Sequence, residues 1–152
     1  MKRIIILLML VGINVCASAQ QGLHINEVFT GKVVARQYMQ ESLIKGENLA
    51  PYNLKVLHTI KFSANNSQRA RADALFNMDM LGRISDDDSN MEMESRDGFI
   101  YYAIVQLTDN DKGTHRYICY QCRPRSTKFD ITLVYMEGDA SLADLRKTFK
   151  KK

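Results

Sequence analysis

The chain has 152 residues, 21 basic and 17 acidic side chains for a net charge of +4, and 45% apolar residues. That is one domain of ordinary size, able to bury a core without metals or staples. So small a positive balance gives no support for nucleic-acid binding.

In chain order, the first element is a targeting segment. Lys2 and Arg3 precede an apolar stretch from Ile4 to Val15, and Ala17-Ser18-Ala19 supplies the small residues of a cleavage site. This is the pattern of a Sec signal peptide. The expected organisation is a signal peptide over 1–19 and a single α+β domain over 20–152. A spanning helix needs about 20 apolar residues, so neither this stretch nor any later one predicts a transmembrane anchor in the mature chain. Cleavage leaves 133 residues (152 minus 19) and takes Lys2 and Arg3 with it, lowering the charge to +2. Cys16 raises a lipoprotein reading, but Ile13-Asn14-Val15 lacks the small residue expected directly before an acylated cysteine. The expected destination is periplasmic or secreted.

The stretch "HINEVF" fits a short helix or a strand, and "QYMQESLIKG" reads as an exposed strand ended by Gly46. "NLAPYN" is a turn, with Pro51 fixing φ and Asn53 tolerating turn geometry. Leu54, Val56, Ile60 and Phe62 alternate with Lys55, Thr59 and Lys61, which predicts a half-buried strand with His58 on its apolar face. "SANNSQ" is a loop, after which Asn66 or Ser67 caps a helix to about Leu81. Its expected stripe is Ala70, Ala74, Met78 and Leu81, with Leu75 beside it.

The acidic passage "SDDDSNMEMESRDG" reads as a loop. Three strands follow, Phe99 to Leu107, His115 to Gln121 and Phe129 to Met136, joined by "DNDKG" and "CRPRST". The first is apolar on both faces, as an interior strand is. Short polar joints favour an antiparallel meander. Ser141 and Asp144 form a capping-box pattern for a last helix with Leu142, Leu145 and Phe149 on one face. Together these predict an α+β fold: an antiparallel sheet of about five strands with two helices packed on one face.

"LIKGENLAPYNLKVLHTIKF", the meander and the closing "ITLVYMEGDASLADLRK" resemble a family of small exported proteins of unknown function found in Gram-negative gut bacteria. The likeness covers most of the mature chain. It implies an extracytoplasmic location and a compact α+β domain, and it carries no catalytic residue across.

The motif closest to chemistry is "YICYQC", with Cys119 and Cys122. A thioredoxin-like pair opens a helix whose N-terminus lowers the first thiol's pKa, whereas Pro124 and a strand follow here. A zinc site needs a second pair or two suitably spaced histidines, which His24, His58 and His115 do not provide. Covalent haem needs a histidine where Arg123 stands. A regular strand sets the two Cα atoms about 10 Å apart on opposite faces, beyond the reach of a disulfide. A turn disulfide therefore requires the chain to bend by Tyr120 or Gln121; otherwise the cysteines are packing residues.

A second candidate is a weak calcium loop at Asp86, Asp88 and Asn90, with Glu92, Glu94 and Asp97 beyond. It lacks the glycine and terminal glutamate of the usual template, and a solvated acidic loop explains it equally. A third is aromatic surface on the meander: Tyr101, Tyr102, Tyr117, Tyr120 and Tyr135, for which cross-strand packing is the default. No catalytic motif, cofactor or metal site is expected. The reading is an exported non-enzymatic module binding a protein, peptide or envelope component through an open sheet face or an edge. The alternatives are an extracytoplasmic thiol–disulfide enzyme using Cys119 and Cys122, and a calcium-dependent structural protein.

Overall fold

A computed structural model describes residues 22–83 and 88–150, so the segment expected as a signal peptide, 1–19, lies outside the described residues, as does Asp86. Among the described residues three helices, α1 (Asn26–Phe29), α2 (Asn66–Arg83) and α3 (Leu142–Lys150), accompany six strands. The strands are β1 (Met39–Lys45), β2 (Leu54–Ala64), β3 (Met91–Arg96), β4 (Phe99–Leu107), β5 (His115–Arg125) and β6 (Lys128–Gly138). They form one antiparallel sheet in the order β1-β2-β6-β5-β4-β3. The fold is α+β, with one strand more than the sequence suggested.

The added strand is β3, which lies in the passage read as an acidic loop. Met91 to Arg96 pair with β4 across a two-residue turn in which Asp97 and Gly98 both have positive φ, 50° and 79°. That is the backbone of a tight hairpin turn, for which Asp-Gly is among the best dipeptides. The second correction concerns β5. It does not end at Gln121 but continues through "CRPR", pairing Cys122 with Ile131 and Arg125 with Lys128. Pro124 is tolerated because pairing with β4 stops at Gln121, so its missing N–H interrupts no ladder.

The helices do not share a face. Beneath α2, Ala72, Leu75 and Phe76 pack with Ile60, Phe62, Ile118, Tyr120, Cys122, Ile131 and Leu133, and the N-terminal Leu23, Ile25, Val28 and Phe29 extend the same core. On the other face Leu142 and Leu145 of α3 pack with Tyr102, Ile104, Tyr117, Cys119, Val134 and Met136. Each central strand thus feeds two cores through its alternation, which is why β4 is apolar on both sides.

α2 is also rotated from its expected stripe: Met78 and Leu81 are exposed, and Ala72, Asp73, Leu75, Phe76 and Asp79 face inward. Two carboxylates lie on the buried face, so the apolar pattern misplaces it. The cap is Asn65, one residue before those expected. Its Oδ1 accepts the Gln68 N–H at 2.8 Å and its own N–H donates to Gln68 Oε1 at 2.9 Å, a reciprocal capping box. The Ser141 and Asp144 box at α3 is as expected.

Candidate functional site

The α3 side of the sheet is only partly covered. A nine-residue helix is about 13 Å long, while six strands span about 24 Å. α3 lies over the β4 end of the sheet, and the face of β2, β6 and the far half of β5 is left open. There the alternating outward residues are polar, and cross-strand register aligns them in rows. Gln40, Lys61, Thr132 and Gln121 make one row, and Ser63, Asp130 and Arg123 the next.

These rows floor a groove of about 790 Å³, walled by the exposed Tyr38 on one side and Phe149 of α3 on the other. It holds three cations, Lys61, Arg123 and Arg125, against one carboxylate, Asp130. Arg125 Nε lies 2.7 Å from Asp130 Oδ2, a solvent-facing pair, whereas Lys61 forms no ion pair among the described residues. The groove is therefore net positive, rich in donors, and bounded by aromatic walls.

Cys119 lies in the floor of this groove and Cys122 in the opposite core. The strand runs straight through both, so the bend a turn disulfide requires is absent, and both thiols are free and buried. Burial pushes Cys119 up to about 12. Burial, with the charge of Asp73, pushes Cys122 up to about 11. Neither is a thiolate at neutral pH, and two sulfurs on opposite faces cannot form the bond that a two-cysteine redox cycle makes. The turn disulfide considered from the sequence is therefore not supported by the strand geometry.

The tyrosines of the meander are core residues. Tyr102, Tyr117, Tyr120 and Tyr135 are buried, and Tyr101 is half-buried beneath the Arg96 guanidinium, 3.7 Å from its ring centre. Three hydroxyls are satisfied internally: Tyr117 donates to the Ala140 carbonyl at 2.5 Å, Tyr135 to Glu137 at 2.6 Å, and Tyr120 to Asp73. Burial raises the pKa of all three. The exposed aromatics are Tyr38 and Tyr52, which come from the N-terminal part of the domain.

Of the calcium candidates, Asp88 and Asn90 lie in a single 3-10 turn. Glu92 and Glu94 are on β3, turned to Arg146 at 3.3 Å and Arg96 at 2.7 Å. No cluster of three or more possible metal ligands occurs among the described residues. The histidines are dispersed: His24 meets Asp79, His58 meets Glu41 and His115 meets Asp109.

Sequence reasoning missed the two buried carboxylates of α2. Asp79 accepts the backbone N–H groups of His24 and Ile25 at 2.7 and 2.8 Å, which fixes the N-terminal segment to the helix. Asp73 bridges Tyr120 and Arg69, and Arg69 lies over Phe99 and Phe129. An aspartate on the buried face of a helix carries no local signal of its partner 47 or 55 residues away.

Residues 12–149 match a family of unknown function, DUF6108. The chain belongs to that family. In comparisons with curated proteins and with solved structures, nothing matches. The DUF6108 assignment covers both cores and the groove together and names no activity. Among the described residues no helix of this DUF6108 chain is long and apolar enough to cross a membrane.

Proposed function

We propose that the protein is an exported, non-enzymatic binding module that holds a protein, peptide or envelope component in the groove beside α3. The observation that carries this reading is the open half of the sheet face, where a helix could have covered β2 and β6 and polar rows stand instead. Catalysis needs groups held together, as nucleophile with base or acid with base. Here each histidine is taken up by a different carboxylate and the thiols are buried. Binding needs only complementarity, and a net positive, donor-lined trough between two aromatic walls suits an anionic or carbonyl-rich ligand. The signal-peptide pattern of the first nineteen residues supports export, because it brings such a surface to the envelope.

The test is co-sedimentation with purified envelope fragments. The wild-type chain from Gln20 is expected to pellet with them, and Lys61→Glu combined with Thr132→Ala is expected to lower its affinity about tenfold. Equal co-sedimentation of the two proteins, with melting temperatures also equal, removes the groove from the proposal.

A further inference from the structure

The two edges of the sheet are built differently. β3 is short, carries Glu92, Glu94 and Arg96, and is broken by a register shift between Glu94 and Ser95. Those are the devices that blunt an edge against further pairing. β1 also carries charges, Glu41 and Lys45, but no register shift breaks it. Its seven residues pair with β2 in unbroken register from Met39↔Phe62 to Lys45↔Val56, and everything from Gln40 onward is exposed. It contains no proline, and it displays Leu43 and Ile44, 38% and 37% exposed, one on each face. Among the described residues no strand pairs with its outer side.

We propose that β1 is a self-association edge, at which a second copy adds its own β1 antiparallel about Leu43, giving one continuous sheet. The backbone fixes which residues can pair. The Gly46 N–H donates to the Lys55 carbonyl at 3.2 Å, so by antiparallel alternation Ile44, Ser42 and Gln40 also turn their backbone groups to β2. Glu41, Leu43 and Lys45 then turn theirs outward. Centring the pairing on Leu43 sets these outward residues opposite one another. Leu43 faces its own copy, and Glu41 faces Lys45 twice, once at each side of the axis.

The neighbouring registers are worse. Centring on Glu41 opposes two carboxylates, and centring on Lys45 opposes two ammonium groups. Centring on Ser42 or Ile44 leaves Lys45 against Met39 or Leu43. Like charges directly opposite are destabilising, and opposite charges are favourable. Glu41 is held in place by Arg36 and His58, each on one of its oxygens at 2.7 Å, and carboxylate oxygens have lone pairs left to accept from an ammonium group. Lys45 makes no ion pair among the described residues. The axis of such a pair is perpendicular to the sheet, so both grooves open on the same side, with Gln40 of each copy between them. The pairing itself does not depend on what the groove binds.

Sedimentation equilibrium of the chain from Gln20, from about 1 µM to about 1 mM, tests it. A reversible monomer–dimer equilibrium is expected. Leu43→Pro removes an outward N–H while keeping every bond to β2, and should abolish the dimer with little change in melting temperature. Lys45→Glu, which turns both ion pairs into repulsions, should weaken it about tenfold. Leu43→Cys should cross-link without added reductant, since the facing Cα atoms would lie about 5.5 Å apart; the native thiols are buried. A monomer throughout that range overturns the proposal, as does a dimer insensitive to Lys45→Glu in which Leu43→Cys does not cross-link. If Leu43→Pro fails to fold, those two variants decide.

Discussion

Asp79 fixes where the N-terminal segment sits. It is buried to 1% exposure, and its two oxygens take the backbone N–H groups of His24 and Ile25 and approach the His24 ring at 3.0 Å. Without the carboxylate, one buried and one part-buried donor lose their acceptor, and Leu23, Ile25 and Val28 lose their seat. Asp79→Ala is expected to cost about 2–3 kcal/mol, read as a lower urea midpoint at unchanged slope. Asp73 behaves differently. Burial raises its pKa above the ordinary 3.8, against the hydrogen bond from Tyr120 and the charge of Arg69. Between its raised native pKa and 3.8, the folded state binds more protons than the unfolded, so this group's contribution to stability falls as pH rises. At Glu41, burial also pushes the pKa up, but Arg36 and His58 outweigh it and hold it below 4.5, so its contribution is lost as pH falls through that lowered value. Comparing wild type with Asp73→Asn from pH 7 downward isolates the first effect. Wild type should gain on the variant through the Asp73 window, and parallel curves would refute it.

At the scale of elements, the best-read pieces carry their own punctuation. β1 ends at Gly46, α3 begins with a Ser141 and Asp144 box, and β2 alternates, and all three lie where the sequence puts them. β3 is equally legible, because the alternating Met91-Glu92-Met93-Glu94 runs into the hairpin dipeptide Asp97-Gly98, but its surface charges read as loop. What no local pattern shows is pairing at a distance. The α2 face was misread because Asp73 and Asp79 are stabilised from β5 and from the N-terminus. The extension of β5 to Arg125 depends on the β6 register rather than on its own residues, and with it went the turn disulfide. The groove was half legible: the polar side of β2 was in view, but not that α3 would leave it bare. Gly138 shows the same kind of hidden constraint. A Cβ there would overlap the Asn53 carbonyl oxygen, which accepts the Asp139 and Ala140 N–H groups at 2.8 and 3.0 Å. Gly138→Ala should therefore cost about 1–3 kcal/mol by forcing β6 away from β2. A denaturation midpoint equal to wild type would show that this junction is slack.

For the whole molecule, the decisive feature is that one sheet carries two cores on shared strands. On β5, Tyr117 and Cys119 belong to the α3 core, and Ile118, Tyr120 and Cys122 to the α2 core. Neither layer can melt without removing the backing of the other, so the domain should unfold as one unit. The two thiols report on this directly, one from each core, because both are buried and protonated in the native state. Leu145→Ala removes a buried side chain from the α3 core, and Phe76→Ala removes one from the α2 core. Each should cost about 2–5 kcal/mol. With alkylation followed by mass spectrometry across a urea series, Cys119 and Cys122 are expected to become reactive at the same midpoint in wild type, and at one lowered midpoint in each variant. The layers would prove independent if Leu145→Ala exposed Cys119 while Cys122 stayed protected, because β5 would then be holding one core without the other. The register argues against that outcome: Cys119 pairs with Val134 and Cys122 with Ile131 on the same β6, so the strand that frees one thiol must also leave the ladder that shields the other.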